Sequence, residues 1–289
     1  MNPYLKPIWR TFVGFFPVAA SKIVYRRARG ERLDLKNPKL YDEKLQYLKL
    51  FEYSKNDLVS MCADKYAVRE YVKQCGCGDT LNELIGVWDD VDSIPFDELP
   101  DKFVLKCTHG CHMNIICRDK QRLDIAATKK QLKKWMKEKY WKRNAELHYK
   151  KIQPRVICER YLSDLAEGLP IDYKIYCFGG EPQFIEIISG RSEDFLHYKD
   201  TYRWVNSWEL INATSEENDP NVPRPASFNE MLTVSRKLAQ GGKFPYVRVD
   251  LYDVDGSVMF GELTFTSAGC ADETLYRDIE VQFGNLLKI

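Results

Sequence analysis

Residues 244–269 have the sequence FPYVRVDLYDVDGSVMFGELTFTSAG. Apolar and polar residues alternate on both sides of a central Asp-Val-Asp-Gly, a pattern typical of two strands joined by a tight turn. The stretch therefore predicts a β-hairpin from Tyr246 to Phe265. If Gly256 takes the left-handed position of a three-residue turn, Asp253 lies opposite Ser257, and this fixes the register of the whole hairpin.

This register gathers charged residues on one face of the hairpin. Arg248 falls opposite Glu262, and Asp250 falls opposite Phe260. Asp250 and Glu262 are then diagonal neighbours, about 7–8 Å apart at the backbone, so both carboxylates can hold one magnesium ion. A solvated face of salt bridges is the alternative interpretation, and a slip of one residue would separate the carboxylates. The opposite face is predicted to be core and holds Val247, Val249, Leu251, Met259 and Leu263.

A second acidic motif lies within the turn itself. Asp253 and Asp255 form the Asp-x-Asp pattern with which many nucleotide-sugar glycosyltransferases hold a metal ion. Aspartate and glycine are also the residues that a tight turn requires. We therefore favour a turn-forming role for both aspartates and keep a glycosyltransferase as an alternative function.

An upstream strand and loop offer a site for phosphate. Lys106 lies in an apolar strand, FVLKC, and needs a partner such as phosphate unless it reaches solvent at a strand edge. The next residues, 108–114 (THGCHMN), can offer backbone N–H groups to phosphate. The same stretch contains four potential zinc ligands: Cys107, His109, Cys111 and His112. Their spacing matches no common structural zinc site.

The rest of the chain mixes helices with strands that pair locally. Helices are predicted over 41–74, 128–143 and 228–240, strands over 115–117 and 155–162, and a hairpin over 172–189 that turns at Gly179-Gly180. Asp64 is predicted to cap a helix, and Ser227 and Glu230 have the spacing of a capping box. Residues 195–225 are predicted to be irregular. Local strand pairing among helices favours an α+β fold over a doubly wound sheet.

Composition narrows the class of protein. The 289 residues are 44% hydrophobic and 29% charged, as in ordinary globular proteins, and their number suggests two lobes. A net charge of +1 excludes a global attraction to nucleic acid, so we expect no nucleic-acid partner. The nine cysteines are an odd number, and several lie in apolar strands, which indicates reduced thiols in a cytoplasmic protein.

The N-terminus joins an apolar stretch to a basic one. Residues 8–20 are mostly apolar but too few to span a bilayer, which takes about 20 apolar residues. Basic residues follow at 22–29. We expect a helical segment packed on the body of the protein. The alternatives are a cleaved signal peptide and a peripheral membrane contact through Arg26, Arg27 and Arg29.

Six motifs in this order resemble the TupA-like ATP-grasp family, named after a teichuronopeptide biosynthesis protein and found in polysaccharide gene clusters. The motifs are DKYAVR (64–69), FVLKCTHG (103–110), CERYL (158–162), DYKIYCFGGEPQFI (172–185), FPYVRVDLYDVDG (244–256) and FGELTFTSAG (260–269). The resemblance covers about residues 35–289. It implies the ATP-grasp fold, in which two α+β lobes with mixed or antiparallel sheets close on ATP and Mg2+.

The resemblance also implies a division of the chain and roles for its residues. The division is a helical N-terminal segment (1–60), an N-terminal lobe with the phosphate loop (61–157) and a C-terminal lobe with the metal site (158–289). The implied nucleotide-binding residues are Lys65, Lys106, His109, Gly110, Asn114, Glu159, Tyr161, Leu162 and Lys174. Among them, Lys106 is implied to contact phosphate and Glu159 ribose, with Tyr161 and Leu162 beside adenine. The implied catalytic residues are Lys174 and Arg248. The implied metal ligands are Asp250, Glu262 and Thr264, although the common ATP-grasp pattern has asparagine at the last position.

The activity implied is that of a carboxylate–amine ligase, in which ATP converts a carboxylate to an acyl phosphate and an amine attacks it. The implied substrate is a uronic acid or amino acid linked to a surface or capsular polysaccharide, handled in the cytoplasm or at the inner face of the membrane. The basic helix that contains Lys129, Lys130 and Lys133 could contact an anionic glycan or a lipid pyrophosphate. Residues 109–114 are HGCHMN, whereas the family pattern is approximately HGSGGN. A degenerate module that binds ATP without catalysis is therefore a third alternative.

Overall fold

Two antiparallel sheets organise the chain in the computed structural model, which describes residues 5–162, 170–189, 199–215 and 219–289. The first sheet has the strand order β1-β4-β2-β3 and the second the order β10-β9-β5-β6-β7-β8. The strands are Leu84–Trp88 (β1), Phe103–Cys107 (β2), Asn114–Cys117 (β3), Val156–Arg160 (β4), Asp172–Phe178 (β5), Glu181–Ser189 (β6), Lys199–Trp204 (β7), Leu210–Ile211 (β8), Tyr246–Val254 (β9) and Ser257–Thr264 (β10). The predicted α+β class is confirmed. The predicted boundary between the two lobes, after residue 157, falls inside β4, and β4 pairs with β1 and β2 of the first sheet.

Helices flank both sheets. They are Lys6–Phe15 (α1), Pro17–Arg29 (α2), Tyr41–Tyr47 (α3), Asp57–Ala63 (α4), Val68–Gln74 (α5), Ile125–Met136 (α6), Phe228–Gly241 (α7) and Arg277–Leu286 (α8). The stretch predicted to be helical over 41–74 contains three helices and a π-helical turn, and the last helix, α5, follows Asp64. A π-helical turn follows α3, and the Asn56 side chain then accepts the N–H groups of Leu58 and Val59, which starts a new helix. None of the described helices is long and apolar enough to cross a membrane.

The two faces of the second sheet are covered differently. α7 packs on the apolar face with its buried residues Phe228, Met231, Val234 and Leu238. At one end of the other face, α3 and α8 bring Tyr41 and Phe283 against Tyr246 and Phe178, with ring centroids 5.3–5.7 Å apart. Burial of each such ring stabilises the fold by about 1.5–3 kcal/mol, so this aromatic end is firmly held. The other end of the same face carries charged residues.

Part of the stretch predicted to be irregular is ordered as strands β7 and β8. Residues 195–198 and 216–218 of that stretch lie outside the described residues. β7 escapes recognition in the sequence because its buried positions include polar side chains. The guanidinium of Arg203 is buried, lies over Trp208 and donates to the carbonyl of Pro220 at 3.0 Å. The predicted capping box is also wrong, because the Ser227 hydroxyl donates to Asp253 and does not cap α7.

The β9–β10 hairpin does not have the predicted register. Its turn contains two residues, because Val254 pairs with Ser257 while Asp255 and Gly256 have φ of +54° and +79°. A bulge at Gly261 then adds one more residue to β10, so that Glu262 pairs directly with Asp250. The shorter turn and the bulge each shift the pairing by one residue from the predicted register. The total shift is two residues, so Glu262 and the residues after it lie on the predicted faces of the sheet.

The new register changes which residues lie in the core. Met259 pairs with Tyr252 and therefore lies on the charged face, contrary to the prediction. Val258 and Phe260 are buried in its place. Gly261 suits the bulge because a Cβ there would lie 2.9 Å from the carbonyl oxygen of Asp250.

Candidate functional site

One row of polar side chains crosses the charged end of the second sheet. Tyr202 pairs with Glu186, Glu186 with Lys174, Lys174 with Asp250, and Asp250 with Glu262. Directly paired residues point to the same face of a sheet. Five adjacent strands therefore contribute one side chain each to a single row.

Arg248 connects the predicted catalytic and metal-binding residues in one network. Its Nε and Nη2 atoms each donate to a carboxylate oxygen of Asp250 at 2.7 Å, a bidentate pair. Nη2 also lies 3.3 Å from the Thr264 hydroxyl, which in turn donates to Glu262 at 3.3 Å. The network holds both carboxylates in place from the side of β9 and β10.

The two carboxylates differ in acidity. Burial, with a smaller effect of the neighbouring carboxylates of Asp172 and Glu262, raises the pKa of Asp250 to about 7, against the opposing guanidinium of Arg248. Burial also tends to raise the pKa of Glu262, but the Lys65 ammonium outweighs it and lowers that pKa to about 2. Negative charge is thus crowded around Asp250, which favours the entry of a further cation.

Lys65 joins the first half of the chain to this network. It follows α4, and its backbone N–H donates to the carbonyl of Thr108 at 3.2 Å. Its Nζ donates to Glu262 at 2.8 Å. The Asp64 carboxylate accepts the N–H groups of Tyr66 and Ala67 and so shapes the turn that presents Lys65. One side chain therefore connects the loop after β2 to β10.

Lys106 finds its partner within the protein. Its Nζ lies 2.6 Å from Glu159, which also accepts from Arg69 at 3.2 Å. Lys106 and Glu159 lie on adjacent strands of the first sheet. The structure therefore joins the lysine and the glutamate that the resemblance assigned separately to phosphate and ribose.

Lys174 is similarly placed beside an acid. Its Nζ lies 3.6 Å from Glu186, whose other oxygen accepts from the Tyr176 hydroxyl at 2.6 Å. Although burial opposes ionisation of Glu186, Lys174 and Arg248 lower its pKa. Sequence reasoning missed Glu186, yet a signal was present. It is a lone charge within the apolar run FIEII, and the argument applied to Lys106 would have found it.

The side chain of His109 is buried against α6, so it does not offer its ring to a nucleotide. Its ring is buried, and Nε2 lies 3.2 Å from the carbonyl of Trp135 in α6. Burial lowers the pKa of His109 and favours the neutral imidazole. Gly110 meets a packing demand, because a Cβ there would lie 2.7 Å from the ring of Tyr140. Only the backbone of these two residues remains for the predicted phosphate contact, whereas Asn114 is exposed at the start of β3.

The departures of this loop from the family pattern have local explanations. His112 has φ of +57°, the left-handed region that favours glycine, and the family pattern has glycine at this position. Met113 is fully buried in the core. The loop thus keeps a left-handed residue while it uses a larger side chain to fill the interior.

The two alternative metal sites receive no support from the geometry. The Asp253 carboxylate accepts from the N–H of Gly256 at 2.8 Å and from the Ser227 hydroxyl at 2.5 Å, so it builds the turn. It also lies on the opposite face from Asp250. Among the described residues, no group of three or more His, Cys, Asp or Glu side chains could hold a metal ion, which leaves the zinc alternative without a site.

The residues present do fit magnesium and a nucleotide. Asp250 and Glu262 offer oxygen donors directly opposite each other, and magnesium commonly takes one or two carboxylates and completes its shell with phosphates and water. Lys65, Lys106 and Lys174 supply positive charge nearby. Tyr161 and Leu162, predicted to lie beside adenine, are half-buried just after β4. Residues 163–169, which follow them, lie outside the described residues.

Comparison with known families finds a match over most of the chain. The model of a family described as TupA-like ATPgrasp matches residues 43–288. No curated protein matches the chain.

Several solved structures resemble the chain at low sequence identity. A D-alanine–D-alanine ligase from Bacillus anthracis complexed with ATP is 15% identical, with a TM-score of 0.46 over 78% of this chain and 67% of that one. The VanG D-Ala:D-Ser ligase from Enterococcus faecalis is 12% identical, with a TM-score of 0.48 over 79% and 61%. An ADP complex of N5-carboxyaminoimidazole ribonucleotide synthetase is 12% identical, with a TM-score of 0.44 over 77% and 50%. The chain thus spans between half and two thirds of the length of these proteins.

Proposed function

The chain belongs to the TupA-like ATP-grasp family, and from this we propose that it is an ATP-dependent carboxylate–amine ligase. The observation that carries the proposal is the direct pairing of Asp250 with Glu262, in contact with Arg248 and Lys65. Two carboxylates surrounded by cations match the needs of a magnesium–nucleotide complex. ATP would supply the phosphoryl group that converts a substrate carboxylate to an acyl phosphate, and an amine would then displace phosphate to form an amide.

We assign the magnesium-binding role to Asp250 and Glu262. Thr264, which the resemblance implied as a third ligand, already bonds both Glu262 and Arg248, and its hydroxyl is suited to orient them. Arg248 is held rigidly by its bidentate pair and would offset charge on the transferred phosphoryl group. No covalent nucleophile on the protein is required.

The remaining cations would bind phosphate by exchanging partners. Lys65 is paired with Glu262, Lys106 with Glu159, and Lys174 with Glu186. Magnesium at Glu262 would release Lys65 for a phosphate oxygen, and phosphate at Lys106 would release Glu159 for a ribose hydroxyl. Each ligand would replace one partner of these ion pairs and leave the other partner to the second ligand. We therefore expect ATP and magnesium to bind far better together than separately.

We further propose that the substrate is a uronic acid or an amino acid linked to a surface or capsular polysaccharide, handled in the cytoplasm or at the inner face of the membrane. The resemblance to a family of polysaccharide gene clusters motivates this assignment. α6 supports it with exposed Lys130 and Lys134, which suit an anionic glycan. Lys133 is less suited because it pairs with Asp92 at 2.7 Å.

Thermal shift assays test the proposed nucleotide. Magnesium with ATP should raise the melting temperature, and a panel of nucleotide-sugars should not. Stabilisation by a nucleotide-sugar alone would favour the glycosyltransferase and refute the ligase.

Phosphate release in the presence of pooled uronic acids, amino acids and amines tests catalysis. Asp250→Asn and Glu262→Gln should abolish release, whereas Asp253→Asn and Asp255→Asn should retain it. Stabilisation by ATP without phosphate release from any pool would instead identify a module that binds ATP without catalysis.

A further inference from the structure

The outward face of α1 is apolar although it is exposed. Leu5, Ile8 and Phe15 have 53%, 67% and 76% of their surface exposed, and Phe16, in the turn to α2, has 58%. The spacing of residues 5, 8 and 15 places them on one side of the helix. Among the described residues, five of the eight exposed large hydrophobic side chains lie between positions 5 and 23. The exposure is therefore concentrated in α1, its turn and the first half of α2.

The inward face of α1 and α2 is packed against the body of the protein, so the exposed face does not result from a loosely packed helix. Val13 and Ala20 are buried in a small core cluster, with Trp9 packed against it. The Trp9 Nε1 donates to the carbonyl of Arg143 at 3.2 Å, and Arg10 pairs with Glu138 at 2.5 Å. The body of the protein therefore fixes the orientation of α1.

Charge is distributed unevenly between this element and the rest of the chain. Residues 1–30 contain six of the 43 basic residues and none of the 42 acidic ones, so residues 31–289 carry a net charge of −5. Arg29 pairs with the buried Glu280. Lys22, Arg26 and Arg27 are exposed on α2. Exposed apolar residues and exposed basic residues thus occur together in one helical pair.

We propose that α1 and α2, the N-terminal hairpin, dock the protein on the surface of an anionic phospholipid bilayer. The apolar side chains of α1 and its turn would enter the boundary between headgroups and acyl chains, and the basic side chains of α2 would meet the anionic headgroups. None of the described helices is long enough to span the bilayer, so the contact is peripheral. A second copy is a poor occupant, because the exposed basic residues Lys22, Arg26 and Arg27 of the two copies would repel each other.

Vesicle flotation of the full chain tests the proposal. We expect binding to phosphatidylcholine vesicles that contain phosphatidylglycerol, little binding to phosphatidylcholine alone, and weaker binding at high salt. The Ile8→Ser/Phe15→Ser variant and the Lys22→Glu/Arg26→Glu/Arg27→Glu variant should each lose affinity by at least about tenfold.

A matched control carries the same charge change elsewhere on the surface. The variant Lys55→Glu/Lys73→Glu/Lys102→Glu alters three exposed lysines outside the hairpin and the candidate site and should keep full binding. Melting temperatures close to that of the unmodified chain show that each variant is folded. Equal binding to neutral and anionic vesicles, no binding to either, or equal loss in the control would each overturn the proposal. So would concentration-dependent dimers that Ile8→Ser/Phe15→Ser abolishes.

Discussion

Replacement of Lys65 by methionine should weaken both the fold and the nucleotide site. The change removes the ammonium that lies 2.8 Å from Glu262 but keeps the length of the side chain. Lys65 is 13% and Glu262 is 35% exposed at the side chain, so solvent screens the pair in part. A charged hydrogen bond in such a position stabilises by about 1–2 kcal/mol. We expect the melting temperature to fall by roughly 2–8 °C.

The same variant should lose activity by a larger factor. If Lys65 moves to a phosphate oxygen when magnesium occupies Glu262, its removal takes away one preorganised cation, and such losses reduce turnover about 10²–10³-fold. Magnesium without ATP should bind Lys65→Met more tightly than the unmodified chain, because no ammonium then competes for Glu262. Isothermal titration with magnesium alone measures this gain directly.

A double-mutant cycle separates the pair from other effects. Lys65→Met, Glu262→Gln and the combined variant should show a coupling of about 1–2 kcal/mol in urea unfolding. Lys55→Met, at an exposed lysine, is the matched control and should leave stability and turnover unchanged. Zero coupling together with unchanged magnesium affinity would refute the exchange of partners described above.

Three further substitutions probe the loop after β2 and the buried interior. Gly110→Ala should destabilise the protein by about 1–3 kcal/mol, measured by urea unfolding, because its Cβ would press on the ring of Tyr140. His112→Gly should raise the unfolding free energy by up to about 1 kcal/mol, since glycine accepts positive φ without strain, and a loss of more than 1 kcal/mol would contradict this. Burial lowers the pKa of His148 to about 3, so between that value and about 6.5 only the unfolded chain takes up the proton, and stability falls as pH falls. The unmodified chain should therefore lose about 2 kcal/mol more than His148→Phe when urea unfolding at pH 7 is compared with pH 5.

The sequence predicted strands well where burial alternates and poorly where polar groups are buried. Val247, Val249 and Leu251 repeat every second residue and reveal β9 at once. The buried Arg203 in β7 breaks this rule, because its guanidinium donates to the carbonyl of Pro220, 17 positions further along the chain. Short-range patterns carry no information about such a partner.

The register of the hairpin shows a second limit. Whether the turn contains two or three residues depends on Asp255, which takes positive φ more readily than most residues other than glycine. Gly261 did carry a signal, since an isolated glycine within a strand often marks a bulge. The predicted face of the carboxylates was right only because the two errors compensate.

The contacts between side chains of the candidate site were the feature that the sequence predicted least well. Lys106 was found as a charge in an apolar strand and Lys65 through the resemblance, but their partners, Glu159 for Lys106 and Glu262 for Lys65, lie on other strands. The separation of Lys65 from Glu262 by 197 positions illustrates why spacing alone does not reveal the pair.

The bulge at Gly261 decides which side of the sheet Glu262 faces. Side chains alternate between the two faces of a regular strand, so a residue added to or deleted from the regular part of β10 before the bulge exchanges inside for outside for the residues that follow. If the ladder ran through Gly261 without a bulge, Gly261 would pair with Asp250, the Glu262 carboxylate would turn toward α7, and Leu263 would lie on the charged face. Deletion of Gly261, in contrast, removes only the extra residue and should leave Glu262 opposite Asp250.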